Sequence, residues 1–120
     1  MCGVVGVYSS NPSLSSRIAY YSLFSLQHRG QESAGMVVSS KDHVYIHKGM
    51  GLVSEVFDED VLNRMNGSVA VGHVRYSTTG ESRLENAQPL HVKTARGYVS
   101  IAHNGNLVNY WELRKGLEKE

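Results

Sequence analysis

Two strand-like runs stand almost back to back in this chain. Ala34–Ser40 (AGMVVSS) and His43–Lys48 (HVYIHK) are separated only by Lys41-Asp42. A two-residue connection joins antiparallel strands only, because a parallel partner needs a crossover of a dozen residues or more. The pair is therefore predicted to be a hairpin, and it bars an all-parallel sheet. Three further runs read as strands: Cys2–Ser9, Ser68–Tyr76 with Gly72 inside it, and Tyr98–His103. Helical spacing occurs in Ser13–His28, through Leu14, Ile18, Tyr21 and Leu26. Asn11-Pro12 opens that helix, as cap and first helical residue. Asp58–Met65 has an acid-rich first turn and Val61, Leu62 and Met65 on one side, which predicts a short helix. Asn106–Glu120 is predicted as the last helix, and Gly49–Val56 and Ser77–His91 as connections. Twelve glycines against two prolines fit the many tight turns this layout needs. Strands in sequence without a helix between each pair give an α+β fold, and 120 residues suffice for one domain.

The charge balance narrows the partners. Twelve Lys and Arg against eleven Asp and Glu leave +1. Nucleic-acid and acidic-membrane binders need a strong basic excess, so neither partner is expected. No apolar run nears the roughly 18 residues of a membrane span, and the first residues lack the basic and apolar regions of a signal peptide. A single cysteine makes no internal disulfide and no four-cysteine zinc or iron–sulfur site. A cytoplasmic location is the expectation. His43 and His47 stand four apart, but the segment alternates as a strand and has no acidic companion at ligand spacing, so no metal site is assigned.

That cysteine is residue 2, between Met1 and Gly3. Removal of Met1 would leave one residue bearing both a thiol and a free α-amine. A thiol is a nucleophile as thiolate, with an ordinary pKa of about 8.5. An α-amine titrates at about 7.7–8.0, so near neutrality it can serve as base to its own side chain. A small buried cysteine that only packs is the plainer alternative. Against it, chain ends usually fray, whereas the residues after Cys2 form an apolar strand that would hold a nucleophile still.

Acyl transfer also needs donors for the developing oxyanion. Asn104-Gly105 follows a strand, and offers a side-chain amide and an unshielded backbone N–H. The same dipeptide is a common hairpin turn, but the segment after it is helical rather than a returning strand. Arg75 lies near the end of Ser68–Tyr76, where a guanidinium could clamp a carboxylate in two-pronged fashion. Thr78, Thr79 and Gly80 follow it. Arg29-Gly30-Gln31 reads either as a substrate loop or as a solvated turn. His103 is read as a hydrogen-bonded core or supporting residue rather than a base.

Together these segments resemble the class II, N-terminal-nucleophile glutamine amidotransferases. The resemblance runs in order through Met1–Gly6 (MCGVVG), Leu26–Gly35 (LQHRGQESAG), Gly72–Gly80 (GHVRYSTTG), Asn86–Pro89 (NAQP) and Ala102–Asn106 (AHNGN). Within the family, this wording is that of the branch that also carries a phosphoribosyltransferase domain. The branch that passes ammonia to a sugar phosphate would read more like YRGYDSAG and GHTRWATHG.

The resemblance implies a four-layer αββα sandwich of antiparallel sheets, incomplete within residues 1–120. It implies that Cys2 attacks the side-chain amide of glutamine, with its α-amine as base and Asn104 and Gly105 on the oxyanion. Arg75 would bind the glutamine α-carboxylate, Thr78 would line the same pocket, and Arg29 and Gly30 would belong to a loop closing over the substrate. The ammonia would go to phosphoribosylamine, formed from phosphoribosyl pyrophosphate in purine biosynthesis. Residues 1–120 would be the N-terminal part of the glutaminase domain, partnered by a phosphoribosyltransferase domain or chain outside them. No cofactor is expected within these residues; magnesium is expected with the phosphoribosyltransferase part, and a homo-oligomer for the whole. The Asp that binds the substrate amine in the family lies outside this stretch. A non-catalytic module of the same fold, or another ammonia acceptor, therefore stays open.

Overall fold

The structure is a computed structural model and describes residues 1–77 and 81–120. Ten elements follow one another: β1 (Gly3–Tyr8), α1 (Ser15–Ser25), β2 (Ser33–Ser39), β3 (Val44–Met50), α2 (Val53–Val56), α3 (Glu59–Arg64), β4 (Val69–Arg75), β5 (Leu90–Thr94), β6 (Gly97–Ile101) and α4 (Tyr110–Leu117). One-turn 3-10 segments occupy Gln27–Arg29 and Leu84–Asn86. The first four strands make one sheet in the order β1-β4-β2-β3, and β5 and β6 make a second. Every pairing is antiparallel, so the α+β class and the hairpin at Lys41-Asp42 are as the sequence predicts.

Register explains where the core sits. Val5 pairs with Gly72, Gly72 with Met36, and Met36 with His47. Strand side chains alternate between faces, so Val5, Met36, Val38, Ala70 and Val74 share the face on which α1 lies, and α1 crosses β1 and β4. That face and the inner sides of α2 and α3 form the core, through Leu23, Met36, Val38, Val53, Phe57, Leu62, Met65 and Val74. In α3, Asp58 accepts a hydrogen bond from the Val61 N–H at 2.8 Å, a cap that fits its acid-rich start. Val61, Leu62 and Met65 are buried together, as their spacing predicts.

The first helix departs from prediction. Leu14, Ile18 and Tyr21 are 43, 45 and 64% exposed, while Ser15, Ser16, Ala19 and Leu23 are buried. Apart from Leu23 the buried stripe is made of small residues, because the helix comes down close to the sheet, and Leu26, just past its end, packs partly buried against the core. Leu23 fills the space above Gly72, where an added Cβ would meet its side chain at 2.8 Å. Helix α1 begins only at Ser15; Asn11 instead accepts from the N–H and hydroxyl of Ser13 in a local turn.

Two elements were hidden in predicted connections. Helix α2 lies within Gly49–Val56, where the Gln27 carbonyl oxygen Oε1 accepts from the Val53 N–H at 2.7 Å. That partner is 26 residues away, beyond the reach of local pattern. Strand β5 begins within the predicted loop Ser77–His91 and has almost no buried side chain to mark it. The flanks of the β5–β6 hairpin lie across the sheet face opposite α1. Lys48 donates to the carbonyls of Ala87 and Pro89 at 3.0 and 3.3 Å, and the His73 ring meets the His103 carbonyl. Helix α4 is shorter than predicted and buries no residue.

Candidate active site

Cys2 stands at the foot of β1, and each of its polar atoms has a partner from another part of the chain. Its backbone N–H donates to Asn104 Oδ1 at 3.1 Å. Its carbonyl accepts from Arg29 Nε at 3.0 Å. Its thiol points to the Tyr76 carbonyl, with Sγ at 3.6 Å. The residue is half-buried at the mouth of an open cleft of about 500 Å³, which Arg75, Ser77, Gln88, Asn104 and Gly105 also line. Cys2 is thus held at three atoms, next to the apolar strand that follows it.

Asn104 and Gly105 do not form a hairpin turn; they lie in the stretch between β6 and α4. An N–H donor faces Asn104, so the amide oxygen is the atom turned to Cys2 and Nδ2 is left to donate elsewhere. Gly105 has φ of +151°, a backbone conformation that L side chains rarely adopt. Asn104 thus meets Cys2 across 102 positions of sequence, and Gly105 lines the same cleft.

Arg75 ends β4 and is buried, yet borders the cleft. Its Nη1 lies 3.2 Å from Glu32 Oε2 and 3.1 Å from the Glu81 carbonyl. Ser77 donates its hydroxyl proton to the other oxygen of Glu32. Glu32 is the counter-ion that makes a buried guanidinium tolerable. Sequence reasoning missed this role, although the residue stands in the quoted LQHRGQESAG segment.

Arg29 and Gly30 sit elsewhere than over the cleft. Arg29 lies in the 3-10 turn and grips the Cys2 carbonyl from the side of β1. Gly30 is buried against β4, where an added Cβ would come within 2.7 Å of the Val74 and Arg75 carbonyl carbons. It lines a separate hollow with Glu32, Tyr76 and Ser77. Thr78, with Thr79 and Gly80, lies outside the described residues.

His103 is exposed rather than a core residue, but its main chain is held on both sides. Its N–H donates to Gln88 Oε1 at 2.8 Å, and its carbonyl is 3.0 Å from His73 Nε2. His73 is fully buried, and burial holds its imidazole below the usual histidine range. His43 and His47 do not converge: the His47 ring meets the Val56 carbonyl at 2.7 Å, while His43 stays exposed. Among the described residues no group of three or more His, Cys, Asp or Glu could hold a metal ion. Among the described residues no helix is long and apolar enough to cross a membrane.

Comparison with known proteins gives the same direction. The family model described as "Glutamine amidotransferases class-II" matches residues 51–119. A curated amidophosphoribosyltransferase of Archaeoglobus fulgidus is 60% identical over 120 residues, which is 100% of this chain and 26% of the relative. Amidophosphoribosyltransferase 2, chloroplastic, of Arabidopsis thaliana is 55% identical over 98% of this chain and 21% of its own length. Among solved structures, the glutamine phosphoribosylpyrophosphate amidotransferase of B. subtilis, complexed with ADP and GMP, superposes with a TM-score of 0.84 at 42% identity, covering 99% of this chain and 25% of that one. A structure described as the allosteric regulatory enzyme of purine biosynthesis gives 0.87 at 43%, with the same coverage. The chain spans about a quarter of the length of the relatives it matches.

Proposed function

The chain belongs to the class-II glutamine amidotransferases, and on that premise we propose that it carries the glutaminase centre of an enzyme making phosphoribosylamine for purine synthesis. The observation that carries this reading is the meeting of Cys2 with Asn104, N to Oδ1 at 3.1 Å, beside a buried arginine in one cleft. Before processing, the nitrogen of Cys2 is an amide. Met1 is exposed and borders the same cleft. Its removal turns that nitrogen into an amine next to the thiol and opens space for substrate.

The chemistry then follows from the residues. Glutamine docks with its α-carboxylate at Arg75, whose guanidinium borders the cleft. The Cys2 α-amine takes the thiol proton, and Sγ attacks the side-chain amide carbon. The oxygen of that amide becomes an oxyanion, which accepts from Asn104 Nδ2 and the Gly105 N–H. The intermediate collapses to a thioester, and the ammonium returns its proton to the leaving ammonia. Water, activated by the same amine, then hydrolyses the thioester to glutamate. Thr78 is proposed to line the pocket; Arg29 and Gly30 would act from behind it, by holding Cys2 and backing Arg75.

Further parts of this reading extend the resemblance to the family; of them, the relatives' names supply only the phosphoribosyl pyrophosphate substrate. The ammonia would displace pyrophosphate from phosphoribosyl pyrophosphate, giving phosphoribosylamine, at a phosphoribosyltransferase part outside residues 1–120, in a cytoplasmic homo-oligomer. Magnesium would act with that part, and no step above passes through it.

A glutamine-analogue electrophile tests the centre. Peptide mapping should find the adduct on Cys2, and intact mass should lack Met1. An adduct elsewhere, or none on folded protein, defeats the reading.

A further inference from the structure

Two features of the sequence have no part in the chemistry above: the NAQP run and the histidine that precedes Arg75 by two residues. In the structure they converge on one residue. We propose that His73 and Gln88 are positioning residues that grip the backbone of His103 from both sides and so set Asn104 against Cys2. The proposal rests on the glutaminase reading and adds a support that this reading does not contain.

The grip is complete at the backbone. Gln88 Oε1 accepts from the His103 N–H at 2.8 Å, and His73 Nε2 lies 3.0 Å from the His103 carbonyl oxygen. A carbonyl only accepts, so Nε2 carries the proton. In a neutral ring Nδ1 then has none, and this buried Nδ1 makes no hydrogen bond among the described residues. A doubly protonated ring would bury a donor without a partner, which is costly. The geometry therefore needs a neutral imidazole with its proton on Nε2.

Each gripping residue is itself fixed to the sheet. His73 pairs with Gly35, and Gly35 with Lys48, in one row across β4, β2 and β3. Side chains of that row point away from α1. The Gln88 backbone rests on this row so closely that a Cβ at Gly35 would lie 2.0 Å from its carbonyl oxygen. Lys48 straps the residues on either side, through the Ala87 and Pro89 carbonyls. One row of the rigid sheet thus supports both jaws.

Asn104 depends on polar anchors for its placement. Asn104 and every residue after it are exposed, so no apolar packing fixes the segment. Asn104 is bonded directly to the gripped residue. A donor misplaced by about 1 Å can cost on the order of 100-fold in rate.

The test uses the polypeptide as the cell makes it. Gln88→Met and His73→Met keep the bulk and remove the jaws. Each should lower kcat for glutamine hydrolysis about 10- to 100-fold and leave KM within about 2-fold. Alkylation of Cys2 by iodoacetamide, which needs no oxyanion donor, should keep its rate. His73→Gln places an amide N–H near the position of Nε2 and should restore most of kcat. Amide exchange at His103 should be slow in the wild type and at least about 10-fold faster in Gln88→Met. Should His73→Met fail to fold, Gln88→Met and His73→Gln still decide the matter. An unchanged kcat in Gln88→Met, a loss confined to KM, or unchanged exchange at His103 overturns the proposal. A wild type that hydrolyses no glutamine would instead sink the functional reading, and the exchange result would then judge the grip alone.

Discussion

The two halves of this molecule are held by different forces. From β1 to β4, helices and sheet enclose an apolar core in which Leu23, Met36, Val38 and Val74 are fully buried. From Glu81 onward only Ala87, Gln88 and Pro89 are buried, and the hairpin, α4 and the stretch between them expose Val92, Val99, Leu107 and Trp111. The hydrogen bond of the proposed catalytic pair straddles the two: Cys2 comes from the packed half and Asn104 from the exposed one. Burial makes the first half stable on its own account. A handful of hydrogen bonds, from Lys48, His73, Arg75 and Cys2, ties the second to it. Stability and catalysis should therefore respond to mutation separately, by the side of the seam on which each residue lies.

The largest effect should come from emptying the packed half. Leu23→Ala removes a fully buried side chain above Gly72 and should cost about 2–5 kcal/mol of unfolding free energy. Chemical denaturation measures it, and the folded fraction should keep its kcat. Asn104→Ala should do the reverse. Glutaminase turnover should drop about 10²- to 10³-fold, with a denaturation midpoint close to that of wild type. Equal damage to stability and turnover from either variant would break the division.

A pH effect of middle size should appear at the seam. Burial lowers the pKa of His73 below its unfolded value. The unfolded chain therefore binds the extra proton first as pH falls. The stabilisation is fully present above about pH 6.5 and declines as pH drops below that value toward the folded pKa. Denaturation curves between pH 5 and pH 8 should show the slope, and His73→Gln should flatten it. The smallest effect belongs to α4 and the turn before it. Val108 is fully exposed, so Val108→Ser should change stability by no more than about 0.5 kcal/mol. A loss several times larger would show that this surface is covered in the working protein.

Much of the fold was legible because local pattern carried it. The alternation in β3, the apolar runs of β1, β2 and β4, and the acid-capped start of α3 all became the elements they suggested. Failures came where a distant partner decided. Helix α2 is fastened by Gln27, and β5 has no buried side to announce it. The apolar stripe of α1 faces outward because Gly72 admits Leu23 and lets the small residues of the helix meet the sheet. At the site, Cys2, Arg75, Asn104 and Gly105 were found by their chemistry and converge on one cleft. Arg29 was assigned to a lid, but it grips the Cys2 carbonyl. Glu32, His73 and Gln88 were overlooked as working parts, since none is reactive and each acts only through what it touches.

Sequence alone determined the residue types at the candidate centre, a cysteine at position 2 and an Asn-Gly dipeptide, and the antiparallel habit of the strands. Both are local: one is covalent, the other follows from short turns and alternating polarity. Only the tertiary structure decided that residue 104 should meet residue 2, and that residues 73 and 88 should hold 103. Those contacts depend on strand register and on how closely backbones approach at Gly35 and Gly72. Such distances are fixed by packing between segments far apart in the chain, and local pattern does not encode them.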